Sequence, residues 1–409
     1  MPIHWPDPFP GIHWLDEQEE QAVLDVLRQG SLFRYYGMRQ PRYVAALEAA
    51  AREFYGVRHA LAVNSGTGAL ITAMTALGIG PGAEVLVPSF LWVATVGAVV
   101  GANAIPILCE VDDSFTIDPT DLEAKITPRT RLIVAVHMAG APCDMQAIMD
   151  LAGRHGTAVL EDCAQANGGE FRGRKVGTFG RIGMFSLQMN KNATAGEGGL
   201  LVTDDARLYE RCVAAHDLGI PWVDGAPCET GPEAVVWGCG RRMSELCGAV
   251  ASVQFAKLPA ILAHMRASKR RIKAMLEGTP GVTFRRLADE AGDTGPFLIL
   301  ILADESRAIA AVERIKAAGI SSAARIADYG LHVYSNIPAL VRKVPLSPAG
   351  NPWSLAQNQS SVCSYQKGAC PRSDALFARS IVIPIPSRLT PEQEQAAAEI
   401  LRAAVAPNQ

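Results

Sequence analysis

Apolar residues recur at helical spacing from about residue 42, at Val44, Leu47, Ala51 and Phe54, and Gly56 ends the run. The next apolar stretch, 59–63, predicts a strand, and it runs into Asn64-Ser65-Gly66-Thr67-Gly68-Ala69-Leu70, the opening of a second helix that ends near 78–80. The alternation continues with predicted strands at 84–87 (closed by Pro88), 105–111, 131–137, 158–161, 182–187 and 199–202. A helix starts at Asp118-Pro119, with Asp as N-cap and Pro in the first turn, and another spans 145–155. Strands separated by helices of this length predict an α/β fold, a mostly parallel central sheet covered by helices on both faces.

From about residue 257 the pattern changes. A long amphipathic helix at 258–276 leads to strands at 282–284 and 297–302, a helix at 307–318, an extended piece at 321–325, a strand at 379–385 and a last helix at 390–405. That last helix carries Thr390 as N-cap, Pro391 behind it and Gln393 at the capping-box position. The chain is expected to divide into a large domain, 1–256 with an N-terminal arm, and a small C-terminal α+β domain, 257–409. The stretch 334–372, rich in Pro, Ser and Asn, reads as a long loop with a functional or interface role.

Composition narrows the possible partners. The 38 basic and 41 acidic side chains are well mixed, the formal net charge is −3, and no basic stripe points to nucleic acid. The N-terminus lacks the pattern of a signal peptide, and the apolar run 91–100 is too short to span a bilayer, so no membrane partner is expected. Nine cysteines without a Cys-x-x-Cys predict reduced thiols in a cytoplasmic protein. The dispersed histidines show no metal-ligand spacing, and no metal is expected.

Two segments carry candidate chemistry. An apolar strand closes on Glu161-Asp162, and Lys191 follows later, between Ser186 and the glycine-rich turn 196–199. A pyridoxal phosphate (PLP) enzyme needs this pair. The lysine amine forms a Schiff base with the cofactor aldehyde, and the aspartate holds a proton on the pyridine nitrogen so that the ring accepts electrons. Ser65-Gly66-Thr67, between a strand and a helix, is either a phosphate cradle or a plain tight turn. Trp92, after Pro88-Ser89-Phe90, either stacks on a flat ring or fills the core. Asp162 and Gln165 sit where open sheets collect ligand residues, although an Asp there could equally cap a helix. Their order on one sheet favours the cofactor reading.

These blocks, together with Val136-His137-Met138-Ala139-Gly140, Gly177-Thr178-Phe179-Gly180 and Arg242-Met243-Ser244-Glu245, resemble the DegT/DnrJ/EryC1/StrS family of PLP-dependent sugar and aminocyclitol aminotransferases. The resemblance extends from about residue 20 to 400. It implies PLP fold type I and a homodimer with active sites at the subunit interface. Carried over by position, Lys191 bonds the cofactor, Asp162 meets its ring nitrogen, Gln165 lies near its hydroxyl and Trp92 stacks on the ring, while Gly66, Thr67 and Ser186 hold the phosphate. Arg242, from the partner subunit, would face the substrate or the donor carboxylate. Where the family usually has Gly-x-Asn-aromatic-Arg-Met, this chain has Gly238-Cys239-Gly240-Arg241-Arg242-Met243, and Leu187-Gln188 stand where many members have an aromatic and a His.

The expectation is amino transfer from glutamate or glutamine to a keto-sugar or keto-cyclitol. The alternatives are elimination, cyclisation or aromatisation of a ring ketone on the same fold, or a PLP-binding regulator without turnover. Tyr35, Tyr36, His332 and Tyr334 are candidates for the acceptor pocket, each equally able to serve as packing.

Overall fold

The computed structural model describes residues 3–223, 226–227 and 232–406; Cys228 lies outside the described residues. The large unit holds helices α1 (Glu17–Gln29), α2 (Tyr43–Tyr55), α3 (Gly66–Ala76), α4 (Val93–Gly101), α5 (Pro119–Lys125), α6 (Met145–His155) and α7 (Ala206–His216). Its strands are β1 (His59–Val63), β2 (Glu84–Pro88), β3 (Ile105–Cys109), β4 (Thr130–Val136), β5 (Ala158–Asp162), β6 (Ile182–Ser186) and β7 (Gly199–Thr203). They form one sheet in the order β1-β7-β6-β5-β4-β2-β3. Pairing is parallel from β6 through β5, β4 and β2 to β3, and β7 runs antiparallel to both of its neighbours. Both faces are covered: α3, α4 and α7 pack with Leu61, Val63, Val85 and Leu201, while α2 and the long helix below pack with Ala60, Ala62, Leu200 and Val202.

Helix α8 (Glu245–Leu276) begins thirteen residues before the expected 258, because Ser244 caps it by accepting the Cys247 N–H and because the turns before Pro259 are apolar on most sides rather than amphipathic. It therefore passes residue 256 without a break. By length and mean hydropathy (1.6) it could cross a membrane, but Ala249, Ala251, Phe255, Leu258 and Leu262 are buried in the protein core. Beyond it, β8 (Thr283–Phe284), β9 (Phe297–Ile301), β10 (Ala324–Arg325) and β11 (Ser380–Pro384) make a second sheet in the order β8-β9-β11-β10. Helices α9 (Glu305–Ala317), α10 (Pro338–Val341), α11 (Pro371–Ala378) and α12 (Pro391–Val405) complete this part. Its core (Ile272, Leu298, Leu300, Ile315, Ile381, Leu401) also takes in Trp5 from the N-terminal arm.

Other departures are local. The strand expected at 105–111 stops at Cys109, where Glu110 turns to accept the Arg372 and Ser373 amides. Only Ala324 and Arg325 of the extended 321–325 piece enter the sheet. Much of 334–372 is packed: Asn358 donates to the Asn103 and Pro352 carbonyls, and the Tyr365 hydroxyl to the Pro106 carbonyl.

Candidate active site

The site forms at the carboxyl edge of the sheet. A cavity of about 390 Å³ is lined by Ser65, Gly66 and Thr67 at the start of α3, Trp92 at the start of α4, Asp162 at the end of β5, Ser186 at the end of β6, and Lys191 in the turn that follows. Seven of the sequence candidates are thus explained by strand ends or their continuations: six meet here, and Gln165 sits one turn past Asp162. Gln165 lines an adjoining cavity that shares Asn190, Lys191 and His332 with the first.

Each placement has a local cause. Ser65 caps α3 by accepting the Gly68 N–H at 2.9 Å, which leaves the Gly66 and Thr67 amides without an acceptor among the described residues. A side chain at Gly66 would lie 2.8 Å from Ser186 Cβ, so glycine lets the helix start approach the Ser186 hydroxyl. The lysine turn is closed by Leu187 N–H to Gly198 O, Met189 N–H to Gly196 O and Ala195 N–H to Leu187 O. Two free amides, two hydroxyls and the positive end of a helix suit a phosphate. Trp92, 42% exposed, offers a free aromatic face, and Asp162 and Lys191 stand on the same cavity. This donor set fits PLP.

Asp162 is buried and firmly held. It accepts the Thr95 hydroxyl at 2.8 Å and the Ala164 N–H at 3.1 Å, and its own carbonyl accepts the His137 N–H at 3.0 Å. Burial pushes its carboxyl above the ordinary aspartate range, while the Ala164 amide, the Thr95 hydroxyl and the Lys191 charge oppose this. Desolvation pushes the Lys191 amine below the ordinary lysine range, with Asp162 opposing. Thr95 was missed from the sequence; the available signal was its position three residues after Trp92, one helical turn along α4.

Behind Asp162 lies a polar core. Glu161 accepts the Gly177, Phe179 and Gly180 amides at 2.7, 2.6 and 2.7 Å and the His137 Nε2–H at 3.1 Å. His137 Nδ1 accepts the Cys143 N–H, so its ring proton sits on Nε2. His137, Glu161 and Cys163 come within 4.8 Å of one another, the geometry of a possible metal set, but protein donors already use the acceptor positions of His137 and Glu161.

His332 joins the site as the sequence suggested. It lies 4.7 Å from Trp92 and 4.6 Å from Tyr329, ring to ring. Its Nδ1–H donates to the Tyr329 carbonyl, which leaves Nε2 to accept from the Gln165 amide at 3.2 Å, and Gln165 Oε1 accepts the Ala139 N–H. Burial, with the Lys191 charge adding, pulls the imidazole down to about 4, so it is neutral near pH 7.

The other acceptor candidates do not reach either cavity. The Tyr334 side chain is fully buried, and its hydroxyl donates to Asp374 and accepts the Cys370 N–H. Tyr35 donates to His216 Nε2 at 3.1 Å, burial pushing its hydroxyl up to about 12. Tyr36 is exposed and packs edge-on against Phe33. Arg242 is paired with the buried Asp217 of its own chain and lies over the Phe33 ring.

A sheet of this order, with one antiparallel strand, a lysine turn at its carboxyl edge and a smaller C-terminal sheet, defines the fold type I class of PLP enzymes. Within that class the chain belongs to the DegT/DnrJ/EryC1/StrS aminotransferase family, whose model matches residues 14–335. It is 37% identical over 301 residues to the L-glutamine:2-deoxy-scyllo-inosose aminotransferase of Streptomyces kanamyceticus, covering 69% of this chain and 67% of that one. It is 35% identical over 345 residues to the enzyme of the same name from Micromonospora echinospora, covering 80% and 78%. The chain spans about two thirds of the length of the curated relatives it matches, 64% in the Streptomyces fradiae protein. Among solved structures it is similar to 3-amino-5-hydroxybenzoic acid synthase (TM-score 0.79, 28% identity, 99% of this chain and 98% of that one). It is also similar to S. venezuelae DesV in complex with a ketimine intermediate (TM-score 0.78, 27% identity, 100% of both chains).

Proposed function

We propose that this protein is a PLP-dependent aminotransferase that moves an amino group from glutamine or glutamate to a ring ketone, a keto-cyclitol or keto-sugar. The observation that carries the reading is the convergence of Lys191, Asp162 and the Gly66-Thr67-Ser186 cradle on one cavity. The relatives named for glutamine and 2-deoxy-scyllo-inosose favour glutamine as donor and a cyclitol as acceptor. PLP, when bound, supplies an aldehyde that takes up amines and a ring that accepts electrons. In this reading the Gly66 and Thr67 amides and the Ser186 hydroxyl bind its phosphate, and Trp92 covers its ring. Thr95 and Ala164 aim Asp162, whose carboxylate holds the proton on the ring nitrogen. Gln165, tied to His332, flanks the ring hydroxyl. The Lys191 amine holds the cofactor and, once freed, moves the proton at the reacting carbon. Its lowered pKa keeps more of it in the basic form this needs. Incubation with amine-labelled glutamine and a ring ketone should give an amino-ring product carrying the label; release of an unaminated or aromatised product would favour the second reading, other ring-ketone chemistry, in keeping with the likeness to a synthase named for an aromatic product, 3-amino-5-hydroxybenzoic acid.

We further propose a cytoplasmic homodimer and the division into residues 1–256 and 257–409. Leu218, Ile220, Val235 and Trp237 (92% exposed) are exposed apolar residues flanking the Gly219–Val236 backbone bond, next in sequence to Asp217, and a second copy would cover them. If Arg242 acts on the partner's site, mixing inactive Lys191→Ala and Arg242→Ala proteins should restore part of the activity. Heterodimers that form and stay inactive would confine Arg242 to its own subunit.

The family resemblance implies that an Asn at position 240 contacts the cofactor phosphate from the other subunit; Gly240 has no side chain to do so, and Arg241 takes on that contact here. Its backbone is fixed by Arg241 N–H to His216 O and Asn64 N–H to Arg241 O, and its Cδ lies 3.5 Å from where a Gly68 Cβ would stand, beside the start of α3. A cation at the positive end of a helix is unfavourable without an anion to share, and no acidic partner of Arg241 is found among the described residues. Arg241→Ala should therefore weaken PLP retention in equilibrium dialysis by about tenfold, the loss of one charge-assisted contact. Gly240→Asn should hold PLP equally or more tightly, since asparagine is the side chain that best tolerates the φ of +61° there. Unchanged retention in Arg241→Ala would remove this role.

A further inference from the structure

Residues 3–14 form a strap joining the small sheet unit to the lysine turn. At one end Ile3 N–H donates to Ala318 O and Trp5 is buried in the second core. In the middle Ser387 Oγ donates to Pro10 O at 2.7 Å. At the other end Gly11 N–H donates to the Lys191 carbonyl at 3.1 Å, and Lys257 Nζ to the Trp14 carbonyl. A side chain at Gly11 would meet Gln254 Oε1 at 2.8 Å and Thr194 at 3.0 Å, so the strap lies tightly on the turn. Between these anchors Pro8-Phe9-Pro10 walls a cavity of about 120 Å³ that opens on Lys191.

The lining of this cavity has two characters. Phe9, Phe297 and Ile385 are apolar. The Tyr329 hydroxyl has no hydrogen-bond partner among the described residues, although its ring is fixed by stacking on His332. Apolar walls at Phe9, Phe297 and Ile385, together with the Tyr329 hydroxyl and the side chains of Asn190, Asn192 and Gln165, match a cyclic polyol, whose C–H face is apolar and whose rim carries hydroxyls. At about 120 Å³, the cavity has room beside Lys191 for a single small ring.

We propose that this cavity is the acceptor subsite, with Phe9 lying on the C–H face of one six-membered ring ketone and Tyr329 hydrogen-bonding one of its hydroxyls. Phe9 is thus a specificity-determining residue supplied by the N-terminal strap. The assignment rests on the aminotransferase reading above. Amino donation from glutamine and amination of 2-deoxy-scyllo-inosose are followed separately in the full-length protein, the first by loss of the cofactor's visible absorbance. Phe9→Ala and Tyr329→Phe should each raise the acceptor KM by about tenfold or more, as expected for a lost packing face or an unpaired substrate hydroxyl. The effect on the glutamine step should be several-fold smaller. Equal loss in both steps would show that the strap only supports the Lys191 turn, and an unchanged acceptor KM in both variants would show that the ring binds elsewhere. Wild-type turnover of a nucleotide-linked keto-sugar but not of the free ring ketone would also overturn the assignment. A wild-type protein whose absorbance no amino donor alters would instead overturn the aminotransferase reading itself.

Discussion

Lys191→Ala should lower amino transfer by about 10⁴-fold or more, the upper end for losing a positioned acid–base group, since the same amine also anchors the cofactor. The variant should still take up PLP, because the Gly66, Thr67 and Ser186 cradle and the Trp92 face do not depend on the lysine. The turn should survive as well: it is closed by backbone bonds between Leu187, Met189, Ala195 and the 196–198 glycine stretch, none of which uses Nζ. Borohydride reduction of the wild-type holoenzyme followed by peptide mapping should place the cofactor label on Lys191. A label on another lysine would refute the assignment.

Asp162→Ala is expected to reduce turnover by roughly 10²–10³-fold while leaving the fold largely intact. The carboxylate is desolvated, yet its neighbours favour the charged form, among them the Ala164 amide, the Thr95 hydroxyl and Lys191. A buried carboxylate so maintained is suited to a cationic ring nitrogen, and the variant would leave that nitrogen without its counter-charge. Asp162→Asn separates charge from packing, since it keeps the size and an acceptor for Thr95 Oγ1. Both variants should be similarly slow in the step with the amino donor. Near-normal rates in either would mean that Asp162 only caps the end of β5.

That the candidate cofactor residues would meet on one cavity was legible in the sequence because they occupy strand ends, and strand ends follow from hydrophobic pattern. Asp162 and Ser186 close β5 and β6, and Ser65-Gly66-Thr67 joins β1 to α3. Of the acceptor candidates only His332 was legible. Tyr334 and Tyr35 are aromatic residues in loops, and nothing in their spacing reveals that one hydroxyl turns inward to Asp374 and the other to His216. Thr95 lay in an apolar run with nothing to single it out, because its value lies in facing a carboxylate 67 positions away. The strap escaped for a similar reason. Residues 3–14 have no periodicity, and their contacts are with Lys191, Lys257, Ala318 and Ser387, all distant in sequence. Helices α1, α4, α7, α10 and α11 were passed over, α4 because its run Val93–Gly101 is apolar almost throughout and lacks the polar face that marks an amphipathic helix.

Amino transfer through Lys191 and Asp162 has its sharpest test in the visible absorbance of the PLP-loaded protein. Adding glutamine or glutamate alone should bleach the band of the lysine-bound cofactor, and subsequent addition of a ring ketone should restore it with release of an amino-ring product. A band that persists through every amino donor, in protein shown to hold PLP on Lys191, would rule out amino transfer at this site.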